Sequence, residues 1–282
     1  MTVVDTPPPP QLPVRSRPAD DDRAWGGVSP MLTRLAAEHA TGVLVREHGT
    51  LYLSEGRVAH AESPLSPGLD LLLTAHGTLT AEAWRNALAR ADDRLGAAHL
   101  LLDGGHLTEG ALELCHLGAL HDAAYFALAP SSTPGRFRYG VVHRLGPVLP
   151  VPVAALEREV LRRRELLHRV WPHAAPDRAP LTRTRPIAAP KPTPRQQTLL
   201  ERIDGTRTAT DLARELGRQA FHTLVDVRRL AAAGLVAPVV APREAPVPDG
   251  TGQHPTLADR PAYTTDPHIT LLKRLRDALE AL

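Results

Sequence analysis

Residues 42–63, GVLVREHGTLYLSEGRVAHAES, constrain the fold more than any other stretch, because three short apolar runs alternate with His48-Gly49 and Glu55-Gly56. Glycine at the second turn position supplies the positive φ that a sharp reversal needs, so the pattern predicts three small strands joined by two tight turns. Leu51 and Leu53 share one face of the middle strand, with Tyr52 opposite, while Arg57 to Ala61 alternates more weakly. Nothing within the meander reads as a catalytic group.

Helices are expected on both sides of it. Ser29-Pro30 is an N-cap followed by an N1 proline, opening MLTRLAAEHA. Ser66-Pro67 repeats the signal before GLDLLLTAH, which Gly77 stops. Thr80 caps a helix through about Ala91, and GAAHLLLDG ends at Gly104-Gly105. Thr108 opens EGALELCHLGALHDAAYFALA, the longest run. GRFRYGVV (135–142) alternates like a strand, with Phe137 and Tyr139 on one face. The helix ALEREVLRRRELLHRVW (155–171) should bury a stripe of Leu156, Val160, Leu161, Leu167 and Val170.

Proline then divides the chain, which holds 28 of them in 282 residues. The expected organisation is a disordered Pro-rich tail over 1–26, a main domain over 27–172, and a Pro-rich linker over 173–192. A compact helical unit follows over 193–240, with helices at 195–203, 209–216 and 218–232 and capping-box spacing at Thr208 and Asp211. After a second linker at 241–265, an amphipathic helix at 266–282 carries Ile269, Leu272, Leu275, Leu279 and Leu282 on one face. Alone in water so short a stripe is marginal, so it should dock onto its own chain, a partner or a second copy, giving a homodimer.

A single cysteine, Cys115, excludes intramolecular disulfides and multi-cysteine metal sites. No run approaches ~18 apolar residues, and the start lacks the apolar core of a secretory leader, so no membrane span and a cytoplasmic location are expected. A net charge of +2 with pI 9.0 neither announces nor excludes a nucleic-acid partner.

The meander and its flanks resemble the PATAN family of bacterial signalling modules, through Gly42, Leu44, Leu51, Tyr52, Leu53, Gly56, Val58 and Ala61. GRFRYG stands in the place of that family's later G-x-F-x-F strand, with Tyr139 for the second Phe. The likeness covers roughly residues 30–170, with 78–104 as a variable helical insert. It implies an α+β interaction or sensory module without catalytic residues, coupled to response regulators, small-GTPase systems or DNA-binding domains. The stretch LLERIDGTRTATDLARELGRQAFHTLVDVRRLAAAGLV resembles a winged helix-turn-helix in its tri-helical rhythm and its GLV exit. That implies an all-α unit whose third helix enters the major groove.

The candidate DNA contacts are then Arg218, Gln219, His222 and Thr223 on bases and Arg228 and Arg229 on phosphates. Phe221, Leu224, Val225 and Leu230 would face the core. Between Lys191 and Glu244 nine basic residues stand against six acidic ones, Asp226 would repel phosphate, and no second wing strand is visible. DNA binding and a scaffold reused for protein contact therefore both stay open. Tyr52 and the terminal stripe of Ile269, Leu272, Leu275 and Leu279 are candidate partner-docking residues.

No other chemistry is expected. Cys115 reads as a small buried core residue, and His48 and His60 as exposed turn and strand residues. His116 and His121 miss the i, i+4 spacing of helical metal ligands, so no metal or cofactor is expected. Arg162, Arg163 and Arg164 interleave with glutamates and read as a solvated face. The expected function is a non-enzymatic signalling or transcriptional regulator with a protein partner and DNA. The alternative is a protein–protein adaptor in a small-GTPase or two-component pathway.

Overall fold

A computed structural model describes residues 29–239, except 76, 93–94 and 187–189. The tail, the second linker and the terminal helix with Ile269, Leu272, Leu275 and Leu279 lie outside the described residues. Helix α1 (Pro30–Ala37) starts where its signal places it, with Ser29 Oγ accepting from the Leu32 amide. It leads into β1 (Gly42–Arg46), β2 (Gly49–Ser54) and β3 (Arg57–Glu62), the expected meander. At the second turn both central residues have positive φ, Glu55 at 50° and Gly56 at 77°, which matches the twist of the flanking strands. The first turn differs: Arg46 faces Gly49 across the ladder, so Glu47 and His48 form the reversal and Gly49 is the first residue of β2. Glycine serves there for close approach, since a Cβ would lie 2.3 Å from the Glu62 carbonyl oxygen.

Four helices follow: α2 (Leu69–Thr74), α3 (Ala81–Arg90), α4 (Ala97–Asp103) and α5 (Glu109–Ala127). Strand β4 (Arg136–Tyr139) returns to β1, and β5 (Val151–Pro152), which the sequence pattern did not announce, adds to β3 just before α6 (Val153–Val170). The sheet is antiparallel throughout with order β4-β1-β2-β3-β5. Leu44, Leu51, Leu53, Val58 and Ala61 from the sheet bury against Leu32 and Leu35 of α1, Leu120, Ala123, Ala124 and Ala127 of α5, and Leu156 and Val160 of α6. A second cluster joins α2, α3 and α4 to Leu112 and Ala119 of α5. On α6 the buried stripe runs through Leu156, Val160, Arg163 and Leu167, while Leu161 is exposed. The 3.6-residue period puts Arg163 at the middle of the buried stripe and Leu161 well off it, so Arg163 is no part of a solvated face.

Residues 173–192 are not an unstructured linker. They hold α7 (Ala175–Arg178) and β6 (Leu181–Arg183). Beyond lie α8 (Pro194–Arg202), α9 (Ala209–Glu215), α10 (Ala220–Ala232) and β7 (Val236–Pro238). The capping box expected at Thr208 and Asp211 forms, and Thr193 with Gln196 makes a second. Strand β7 finds its partner in β6, upstream of the three helices, so the two strands bracket the helices and make no wing hairpin after the third. The fold is α+β, and the described residues belong to one compact unit. Among the described residues no helix is long and apolar enough to cross a membrane.

Gly56 and Gly105 both have left-handed φ, at +77° and +64°, but only Gly56 faces backbone, with a Cβ there 2.5 Å from the Ala36 carbonyl oxygen. Gly105→Ala should cost about 1–2 kcal/mol, and Gly56→Ala clearly more because α1 must move. Urea unfolding of the two variants checks this, and equal losses would show that the α1 contact yields freely.

Candidate functional site

Among the described residues two places bring buried polar groups together across distant parts of the chain. The first is the start of α10. Its leading amides, on Ala220 and Phe221, donate to the two oxygens of Asp122 on α5 at 2.6 and 2.7 Å. A helix N-terminus carries unpaired amides and partial positive charge, so a carboxylate is its natural cap, here supplied from 98 residues away. Arg163 stands 3.6 Å from the same carboxylate, bonds Glu159 at 2.8 Å and lies 4.6 Å above the Phe221 ring. The Arg162 hydrogen bonds, with help from Arg163, hold the Glu159 carboxyl down at about 2. Burial pushes Asp122 up to about 6, against the pull of the two amides and Arg163.

The sequence-derived DNA contacts divide accordingly. Helix α10 is buried nearly all round, with only His222 and Arg229 exposed along its middle turns. Arg218 is half-buried and donates to the Arg195 carbonyl at 3.3 Å. Gln219 is the N-cap residue, its side-chain amide set against Gly118 of α5. Thr223 is buried and bonds the Gln219 carbonyl. Arg228 is no phosphate contact: it is buried in a two-pronged pair with Asp177 of α7, at 2.9 and 2.5 Å, and reaches the Trp171 carbonyl. Asp226 does not confront solvent either, being buried and paired with Arg195 at 2.7 Å.

The second place is a cavity of about 740 Å³ beside β3. Leu69, Trp84, Leu88 and Ala119 give it apolar wall, and Tyr52, His60, Glu62 and His143 give it a polar corner. A β-bulge builds that corner. In β2–β3 the register steps between Tyr52 and Leu53, leaving Ala59 unpaired, so that Tyr52 faces His60 and Thr50 faces Glu62. Without the extra residue His60 would pair with Leu51 and point into the core. His143, from the segment after β4, stacks on His60 at 4.0 Å and meets the Tyr52 ring edge-on at 4.8 Å. Glu62 accepts from His143 Nε2 at 3.1 Å and from the Tyr52 hydroxyl at 3.3 Å. The His143 bond holds the Glu62 carboxyl below its ordinary range, and burial raises the Tyr52 phenol.

No family model matches the chain, and comparisons with curated proteins and with solved structures find no match.

His60 is buried at 5% exposure, not on the surface as its strand position suggested. Its Nδ1 has no hydrogen-bond partner and its Nε2 stops 4.0 Å from Glu62. Burial, with His143 and His116 nearby, drives its pKa well below the ordinary value. His116 of α5 stacks on it from 5.4 Å, itself fully buried and held down to about 4 chiefly by burial. Tyr52, expected as a docking residue, is half-buried and turned into this corner. Cys115 is half-buried against the α2–α4 cluster, and burial raises its thiol. His60 and Glu62, two apart on one strand, were the readable part of the corner; His143 was not, being 81 residues from Glu62.

Breaking a buried pair leaves one charge uncompensated, so Arg228→Ala should cost about 3–5 kcal/mol, while Arg229→Ala should stay within about 0.5 kcal/mol. Equal effects in denaturant unfolding would remove Arg228 from the interior. Asp122 binds its proton more tightly folded than unfolded, so its contribution is full below about pH 4 and declines as pH rises through about 6. Between pH 4 and 7 the stability difference between wild type and Asp122→Asn should therefore move toward the variant by about 2–2.5 kcal/mol. Parallel unfolding curves at the two pH values test it.

Proposed function

We propose that this chain is a non-enzymatic signalling regulator that acts as a protein–protein adaptor, with its helix-turn-helix unit as scaffold. One observation carries the reading: the end of α10 that would meet base edges is capped by Asp122 and seated on α5. Reading a major groove needs several side chains free at that end. Here Thr223 and Arg228 are committed to the interior, and His222 and Arg229 are left as an exposed strip two side chains long. Surrounding helices also close the other sides of α10, which is packed against α5, α6, α7 and α9. The resemblance of residues 30–170 to PATAN modules supports a response regulator or a small GTPase as the class of partner.

The rival reading, a transcriptional regulator, draws on exposed His222 and Arg229 and requires α10 to leave Asp122. The two separate in an anisotropy titration of the full chain against duplex DNA at low and high salt. The adaptor reading expects no salt-dependent binding tighter than about 10 μM, from wild type or from Arg229→Glu alike. Submicromolar binding that Arg229→Glu abolishes would establish the rival. If Asp122→Ala alone brings such binding, DNA recognition is latent and the docked helix suppresses it, which also overturns the adaptor reading.

A further inference from the structure

We propose that His60, Glu62 and His143 bind a divalent transition-metal ion of the zinc type at the polar corner of the cavity beside β3. The proposal is independent of the adaptor reading. One ligand atom from each residue lies within 4.8 Å of the others, with His143 Nε2 3.1 Å and His60 Nε2 4.0 Å from Glu62 Oε1. Two imidazoles and a carboxylate are the mixed nitrogen and oxygen donors that such an ion takes, and three protein ligands leave a position for water or a small ligand. That position opens onto the cavity, since all three residues line it.

The second observation is His60 itself. A buried polar ring is ordinarily hydrogen-bonded. This one has no partner at Nδ1 and none within hydrogen-bond distance at Nε2, and it lines the cavity. An ion between His60 and Glu62 gives Nε2 a partner that the protein does not supply. The Tyr52 hydroxyl on the other Glu62 oxygen already orients the carboxylate, as outer-shell groups do in metal sites.

Loading the site requires a defined rearrangement. The rings of His60 and His143 are stacked at 24°, and an ion must lie in the plane of each ring that binds it. His143 therefore turns out of the stack. Its Nδ1 now accepts from the Leu145 amide at 3.2 Å, so Nε2 carries the hydrogen toward Glu62. For Nε2 to bind an ion, that hydrogen moves to Nδ1 and the Leu145 amide bond opens. Metal binding and this amide bond are mutually exclusive.

The test uses the full chain, stripped by chelator dialysis and titrated with zinc chloride by calorimetry and by competition with a chromogenic chelator. One equivalent should bind at micromolar affinity or better. Glu62→Gln and His143→Ala should each weaken it by about 100-fold or more, while His99→Ala, at an exposed helix position, leaves it unchanged. Both ligand variants alter partly exposed side chains, and a thermal melt confirms that they fold. Zinc should also speed hydrogen exchange at the Leu145 amide in wild type and not in His143→Ala. No stoichiometric binding, or binding that survives both variants unchanged, overturns the site. So does zinc binding that leaves Leu145 exchange as it was.

Discussion

The contact between Asp122 and the first amides of α10 is the constraint that joins the two halves of this molecule. A carboxylate with almost no exposure is expensive to keep ionised, by several kcal/mol even after relaxation. Two amide bonds at 2.6 and 2.7 Å to a charged acceptor return about 1.5–3 kcal/mol each, and the partial positive charge of the helix end adds to them. The donors offset much of that cost and not all of it, so burial still holds the carboxyl up at about 6. The contact is therefore weak evidence for stability and strong evidence for position. Any other placement of α10 leaves a buried acid without donors and helix amides without an acceptor.

Local signals in the sequence hold at most of the helix starts and fail at α2, whose N-cap is Gly68 with no side-chain bond, two residues past the expected Ser66. Ser29, Thr80 and Thr208 cap the helices they precede, and the meander forms, although its first turn is Glu47-His48 and Gly49 begins β2. What proline content concealed was pairing at a distance. The stretch 173–192 lacks periodicity because α7 is a single turn and β6 only three residues long, too short to show any. Their order comes from partners elsewhere: Asp177 from Arg228, and β6 from β7. Arg163 was misplaced for a related reason. A basic residue among glutamates reads as solvated until a buried acid and an aromatic face appear opposite it.

The polar corner shows how one inserted residue can hide a site. A regular strand would have sent Val58 and His60 to the same face, and the weak alternation of residues 57–61 was the trace of something else. With Ala59 as the bulge, Val58 and Ala61 both reach the core, three positions apart, while His60 and Glu62 turn to Tyr52 and Thr50. Read as unbroken alternation, His60 looked like an exposed strand residue. In the fold it is a buried ring between two other histidines.

Helix α5 touches both places, and its burial decides how rigidly they are held relative to one another. Ala119 and Ala123 line the cavity, His116 stacks on His60, and Asp122, between the two alanines in sequence, caps α10. The distance along the helix is a single turn. The same helix, however, contributes to all three buried clusters, with Leu112 and Ala119 in one, Leu120 and Ala124 in another and Phe126 in the third. A helix apolar on every side is fixed by packing on every side, so tilting it would open gaps in three cores at once. The two places are therefore joined by a stiff element that resists rotation. The soft groups at this junction are side chains: the stacked imidazoles on one side, and on the other the Arg163 guanidinium, which lies against Asp122 and the Phe221 ring. What freedom the packing leaves at this junction therefore lies in those side chains, the helix backbone being held in place.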